Sequence, residues 1–540
     1  MKKLFLTIIL LLLSTTAFPA TYYVATTGNN GNDGSVGSPW LTIQYAMDTV
    51  SAGDTIIVAA GGYSERVTTT KGGSAENPIT VTGAVLATTI HTKGYTLNHD
   101  YININNMTIR GDTTTAWIFT INSDVDNCII SGNIIEYTIP VAGAGNVGGF
   151  WFAETTSYIT ISDNLIRDMI YVTCVLNGSN HLIHGNTIIG RYDAGGDSDV
   201  FLVWGHDNTI SNNDVSNYYY GAKTHVDFVQ THGVGFEGVS YNILIDSNFV
   251  HDFPAQIGMT DWIDAGMHDW TFRNNIFANV GGGFVVALPN VYFYNNTFYK
   301  VGTTHPITYR CDIPEDGRLI ADGGDIRNNL FINCGTQANN GYYADGGCPN
   351  ITADYNYVTA YSAIGEFPEP TGFSEVNGRG DLGDPKFLNI GGSTAVSYSL
   401  SADAPTNVGA DLSATFTIDY AGNTRVAPWN IGAYEYGGIT AYSVTPSSGS
   451  GYSVSPSGMQ SVANSETTYF DITRAYGYSI SVSGCGGSLG AESGMVSRYT
   501  TGAITENCDV TVTATAHLAT MATGLNNVTL GGTGTITLGD

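Results

Sequence analysis

Three aspartates share one local pattern, an acid followed by apolar residues: SDVF at Asp199, VDFV at Asp227 and TDWI at Asp261. They keep step with a short phrase that recurs through the chain, its asparagine at Asn106, Asn133, Asn164, Asn186, Asn213, Asn248, Asn275, Asn296 and Asn329. HDNTISNN and HDWTFRNN match residue for residue, so Asp207 and Asp269 are equivalent. Counting back from each sets Asp199 opposite Asp261, and the intervening THVDFVQTHG brings Asp227 to the same place. The column is expected to hold Phe119, Phe150 and Val172 before the acids and Gly282 after them, so acids interrupt an apolar run. A second column, three residues on, is expected to run Leu202, Gln230, Asp264.

Strands on neighbouring coils lie ~4.8 Å apart, which puts carboxylates about 5 Å apart on adjacent coils and about 9 to 10 Å apart two coils on. Cleavage of a glycosidic bond uses two carboxyl groups about 5 to 5.5 Å or ~6.5 to 9.5 Å apart, and three stacked acids supply either. Close carboxylates oppose each other's ionisation, which raises one pKa as a general acid requires. His225, two residues before Asp227, is expected to orient the acids. Lys223, Gln230, His232, Asp264, Trp262 and Trp204 are expected to meet substrate, with Tyr218, Tyr219 and Tyr220 as further ring faces and Glu237 in a loop over the cleft. Two other roles fit the acids: capping strand ends, or holding Ca²⁺ as Asp199, Asp227 and Asp261 together, with Lys223 as the base of an elimination. No other cofactor is called for, since Cys and His show no zinc spacing.

The phrase itself is an apolar alternation, a polar turn ending in Asn, and an apolar pair, recurring roughly every 20 to 35 residues as in a solenoid. A coil of this kind cannot bury its inner face alone, so coils must stack. Asn tolerates left-handed backbone, and stacked Asn side chains can form ladders. The expected fold is all-β, a right-handed parallel β-helix. Pro39 to Val50 has helical periodicity between the strand-like YYV and TIIV runs, which makes a capping helix for the open end of the stack.

This passage, YYV, a Gly/Asn/Asp turn, TIQ, GDTI and GYSE, resembles the N-terminal cap of the pectin-lyase-like superfamily of secreted β-helix proteins. GDPKF at 383–387 and DYAGNTRVAPWNIGAYEY at 419–436 resemble the closing strands of many bacterial β-helix proteins, so the resemblance extends to about Tyr436. At the acids the chain resembles polygalacturonase-type glycosidases, in which an Asp just before an inward apolar residue on successive coils forms the active site. The adjacent Asp pair, Gly-His-Gly and Arg-Ile-Lys phrases of that family are not in their usual places, and THG at 231–233 is a partial echo. The resemblance implies cleavage of a polysaccharide. Hydrolysis is favoured over elimination because the patch is rich in acid and poor in Lys and Arg.

The formal net charge of −28 comes from scattered acids, and without a basic stripe nucleic acid is excluded as a partner. Strongly anionic polymers are disfavoured unless Ca²⁺ bridges the charges. Lys2 and Lys3, the apolar run from Leu4 to Leu13 and small residues to Ala20 read as a signal peptide over 1–20, and no segment is long enough to span a bilayer. Export to the extracellular space or cell surface follows. Seven Cys in an exported chain permit disulfides. Cys485 with Cys508 is the expected bridge, one pair is expected among Cys311, Cys334 and Cys348, and Cys128 and Cys174 read as core thiols. The β-helix is expected over 21–438. A small antiparallel, sandwich-like β module over 439–516 resembles bacterial surface repeats and suits surface attachment, and 517–540 is expected to be a loose tail.

Overall fold

The coils are registered by a column of buried asparagines. From Asn133 through Asn164, Asn186, Asn213, Asn248, Asn275, Asn296 and Asn329 to Asn356, each Nδ2 donates to the Oδ1 of the next rung at 3.0–3.1 Å. The same Oδ1 accepts the backbone N–H of the rung before it, and Nδ2 also reaches a carbonyl on the preceding coil, as Asn213 does to Ile183 at 2.9 Å. Every amide is thus satisfied inside a core where an orphaned polar group costs about 1–3 kcal/mol. Two positions differ from the sequence reading. Asn106 is not a rung: it has φ 57°, and Met107 holds the rung position, donating its N–H to Asn133 Oδ1. Asn356 continues the column past Asn329. Left-handed backbone belongs to the residue before each rung, among them Asp163, Asn212, Asn274 and Asn328, so an Asn-Asn doublet divides two jobs between its members.

This computed structural model describes residues 19–86, 88–112, 116–137, 148–169, 171–191, 196–197, 199–218, 224–232, 239–260, 266–302, 305–310, 321–334, 342–345, 348, 350–359, 386–401, 407–436, 441–475, 478–492 and 495–516. The expected signal segment, apart from Pro19 and Ala20, and the expected tail lie outside them. Among the described residues the stack is a right-handed parallel β-helix. One face is a parallel sheet of 13 strands from Thr21–Val24 to Ile351–Asp354. The other two faces merge into a 21-stranded parallel sheet, because Phe249–Thr260 and Ile276–Val286 each run from one face into the next. Inside, like residues stack in rows: Tyr95, Phe119 and Phe150 lie 5.7 and 5.0 Å apart, and Phe277, Phe298 and Phe331 lie 5.1 and 4.8 Å apart. No helix among the described residues is long and apolar enough to cross a membrane.

The cap forms as a shorter helix than the periodicity predicts, Ile43–Thr49. Thr42 caps it through Oγ1 to the Tyr45 N–H, and Glu65 accepts the N–H groups of Ile43 and Gln44 at 2.9 and 3.1 Å. A carboxylate on the free amides of a helix start is favourable, and this one comes from the link between the strands Gly61–Ser64 and Val67–Thr68. Ile43, Ala46 and Met47 are buried.

At the other end the GNTRVAPWN stretch brings in a buried cation. Arg425 donates to Asn274 Oδ1 at 2.8 Å and to the Gly432 and Ala433 carbonyls, and pairs with Glu435. Burial lowers its pKa to about 10, against the opposing pull of Asp419 and Glu435.

The chain divides into two units, Met1–Ile439 and Thr440–Asp540. The second holds two four-stranded sheets around Val444, Phe470, Ile472, Tyr499 and Val510. Its pairings are antiparallel except between Ala441–Pro446 and Cys508–Ala516, which run parallel. Cys485 and Cys508 are bonded there, with Cα atoms 5.5 Å apart. Cys128, Cys174 and Cys334 are free and buried, and burial pushes the Cys128 and Cys334 thiols up to about 12. Cys348 is disulfide-bonded, whereas Cys311 lies outside the described residues.

Candidate functional site

Asp199 and Asp227 are brought together by strand register. Phe201–Val203 pairs in parallel with Asp227–Thr231, Phe201 against Val229 and Leu202 against Gln230, which sets the two acids side by side just before the paired residues. The Asp227 N–H donates to Asp199 Oδ1 at 2.9 Å, and the Val200 N–H donates to the Asp227 carbonyl at the same distance. The Asp199 carbonyl in turn accepts the Thr173 N–H at 3.0 Å. Both acids are 0% exposed.

The position expected for the third acid holds an amide. On the following coil Asp227 faces Gln256, and Gln256 faces Gly282, so the column runs Val172, Asp199, Asp227, Gln256, Gly282. Val172 and Gly282 sit as the sequence predicts. Phe119 and Phe150 belong two residues further on, in the row of Cys174, Phe201 and Val229. The miscount has a simple cause. Asp207, Asn242 and Asp269 do align, but eight residues separate that column from the acid column on the first coil, 15 on the second and 13 on the third. Counting back across a corner fails when its length varies.

The second column is corrected in the same way: Gln230 lies between Leu202 and Met259, not beside Asp264. Gln230 is buried at 6% exposure. His232 meets Trp204 edge to face at 5.3 Å. Tyr218 is buried and its hydroxyl lies 2.8 Å from Oγ1 of Thr173, the residue whose N–H donates to the Asp199 carbonyl. The backbone of His225 pairs with that of Asp197. Asp261, Trp262, Asp264, Lys223, Tyr219, Tyr220 and Glu237 lie outside the described residues.

Sequence reasoning missed an apolar cluster on the face that carries the acids. Val172, Val175, Leu202 and Trp204 form a cluster separate from the coil core, with Trp117, Trp151 and Tyr171 packed against it. The signal was present, since Trp117 and Trp151 sit on adjacent coils of the face that carries the acids, three and two rungs before Asp199 and Leu202.

Ca²⁺ takes six to eight oxygen ligands. Asp199 and Asp227 alone do not supply that shell, one of their oxygens already accepts a backbone N–H, and no group of three or more His, Cys, Asp or Glu among the described residues is placed to hold a metal. Asp261, the third acid of the expected Ca²⁺ set, lies outside the described residues.

No protein-family model matches the chain, and no curated protein does. Solved structures similar to it include a XylC complex with xylose (TM-score 0.43, 12% identity, 77% of this chain and 98% of that one). The pectate lyase Pel9A is similar over 78% of this chain and 97% of its own (TM-score 0.39, 16% identity). The PL6 family alginate lyase AlyGC is similar over 71% of this chain but 57% of its own (TM-score 0.41, 14% identity).

Proposed function

We propose that this protein is an exported enzyme that hydrolyses glycosidic bonds in an extracellular polysaccharide, with Asp199 and Asp227 as its carboxyl pair. The observation that supports it is the rung itself. Two acids on hydrogen-bonded neighbouring strands have the ~4.8 Å strand spacing, which suits the carboxyl separation of about 5 to 5.5 Å used in retaining hydrolysis. With Gln256 on the next coil, this column offers no acid at the wider inverting distance. Asp199, fixed by the Asp227 N–H, is the better placed nucleophile, since orientation lowers the barrier to attack. Asp227 then serves as acid and base, and His225 and Gln230 position the sugar.

Neither carboxylate is exposed, so a sugar ring reaches them only after displacing what covers them. That enclosure favours a second reading, a surface protein that binds polysaccharide and leaves it intact.

The deciding experiment incubates the purified mature chain with neutral and acidic polysaccharides and follows reducing ends and ultraviolet absorbance together, beside Asp227→Asn. Reducing ends without absorbance, abolished in the variant, support hydrolysis at this pair. Absorbance as well means elimination. Binding without product supports the second reading.

A further inference from the structure

Trp117 and Trp151 lie on adjacent strands, Trp117–Ile121 and Gly148–Phe152, with ring centroids 5.4 Å apart and planes at 49°. Both are half-buried, whereas the Val172, Val175, Leu202 and Trp204 side chains of the same cluster are at most 7% exposed. Their position is built, not incidental. A Cβ on Gly148 would overlap the Trp117 ring and the Val172 carbonyl, so only glycine lets the indole lie across the neighbouring coil. Beneath it Arg66 donates Nη1 to the carbonyls of Trp117 and Lys93 at 2.7 and 2.8 Å, and Nη2 to Thr120 Oγ1 and the Tyr95 carbonyl at 2.9 and 2.8 Å. One half-buried guanidinium thereby pins the strand that carries Trp117 to its neighbour.

We propose that Trp117 and Trp151 form a stacking platform for an uncharged polysaccharide chain lying along the axis of the coils. This rests on the polysaccharide reading above. Strand spacing puts the platform about 10 to 14 Å from Asp199 along the axis of the coils, a span of a few sugar rings. Indole faces pack against the C–H faces of pyranose rings while the sugar hydroxyls stay in water. The buried side chains the two indoles rest on, Val172, Val175 and Leu202, carry no charge, and the chain as a whole has a net charge of −28. An anionic polymer would be repelled by a chain of this charge, and a neutral one would not.

The test is retardation of the full chain in native gels containing galactomannan, arabinoxylan, mixed-linkage β-glucan or polygalacturonate, with product release measured on the same polymers. Retardation by at least one neutral polymer is expected, weakened roughly tenfold in Trp117→Ala/Trp151→Ala and largely kept in Trp117→Phe/Trp151→Phe. The Phe variant and an unchanged thermal transition separate lost stacking from lost folding. Unchanged retardation in the Ala variant overturns the platform, as does retardation by polygalacturonate alone or by nothing in the panel. A change of mass in light scattering between wild type and the Ala variant would instead assign the face to a second copy of the chain, and also overturns it. Platform-dependent retardation with no product from the wild type leaves the platform standing and refutes the hydrolase reading.

Discussion

Asp227 donates its backbone N–H to the side chain of Asp199 at 2.9 Å, so one acid of the pair holds the strand that carries the other. Chemistry and register therefore separate by substitution. Asp199→Asn keeps an acceptor oxygen and is expected to fold with near wild-type stability while losing activity by about 10²–10⁴-fold. Asp199→Ala also orphans the buried N–H and is expected to lose about 1–3 kcal/mol in urea unfolding. Equal stabilities for the two variants would mean that the hydrogen bond does not matter.

The asparagine column is expected to be costly to interrupt. Asn213→Ala removes the acceptor of the Asn186 N–H and Nδ2 and the donor to Ile183, a loss of about 3 kcal/mol or more by thermal unfolding. Asn213→Asp should cost more, because a carboxylate oxygen would face the Ile183 carbonyl and Asn248 Oδ1. A loss below about 1 kcal/mol in both would show that neighbouring coils re-pair without the rung.

Arg425→Met removes the ion-pair partner of Glu435 and the donor to Asn274 Oδ1, and leaves the Gly432 and Ala433 carbonyls with only Asn295 Nδ2 and the Tyr420 N–H. Breaking a buried pair in this way is expected to cost about 3–5 kcal/mol. Limited proteolysis should then cut within 407–436 well before the coils unfold. Protection as good as wild type would argue against the anchor.

Stability should fall across the alkaline side of neutrality because of His251. Burial opposes its charge, but Asp214 and Asp252, each 3.0 Å away, outweigh burial and raise its pKa to about 9. A raised histidine stabilises the fold fully below its unfolded value near 6.5, and that contribution disappears as pH climbs through about 9. The melting temperature of wild type should drop over this window more than that of His251→Asn. Parallel profiles would show that His251 is not protonated in the fold.

The repeat was legible because a ladder position needs one donor and one acceptor on a short side chain, and that requirement writes Asn on each coil from Asn133 to Asn356. Asn106 misled for a related reason, since the left-handed corner before the rung also accepts Asn. Asp199 and Asp227 were legible as a pair because their strands share register. The column position expected of a third acid holds Gln256 because corner length differs between coils, and nothing local in the sequence counts it. Trp117 and Trp151 could not be joined from sequence, as their approach depends on a missing Cβ at Gly148.

The cap has a consequence for assembly. A stack of parallel coils ends in a row of open backbone groups, a template on which another copy could polymerise head to tail. Here the Tyr23 and Ala25 N–H groups donate to the Gly34 and Trp40 carbonyls, and the helix Ile43–Thr49 buries its apolar side nearby. Filament growth by a polar stack needs both ends free, so closing this one makes the chain a terminator of its own polymer.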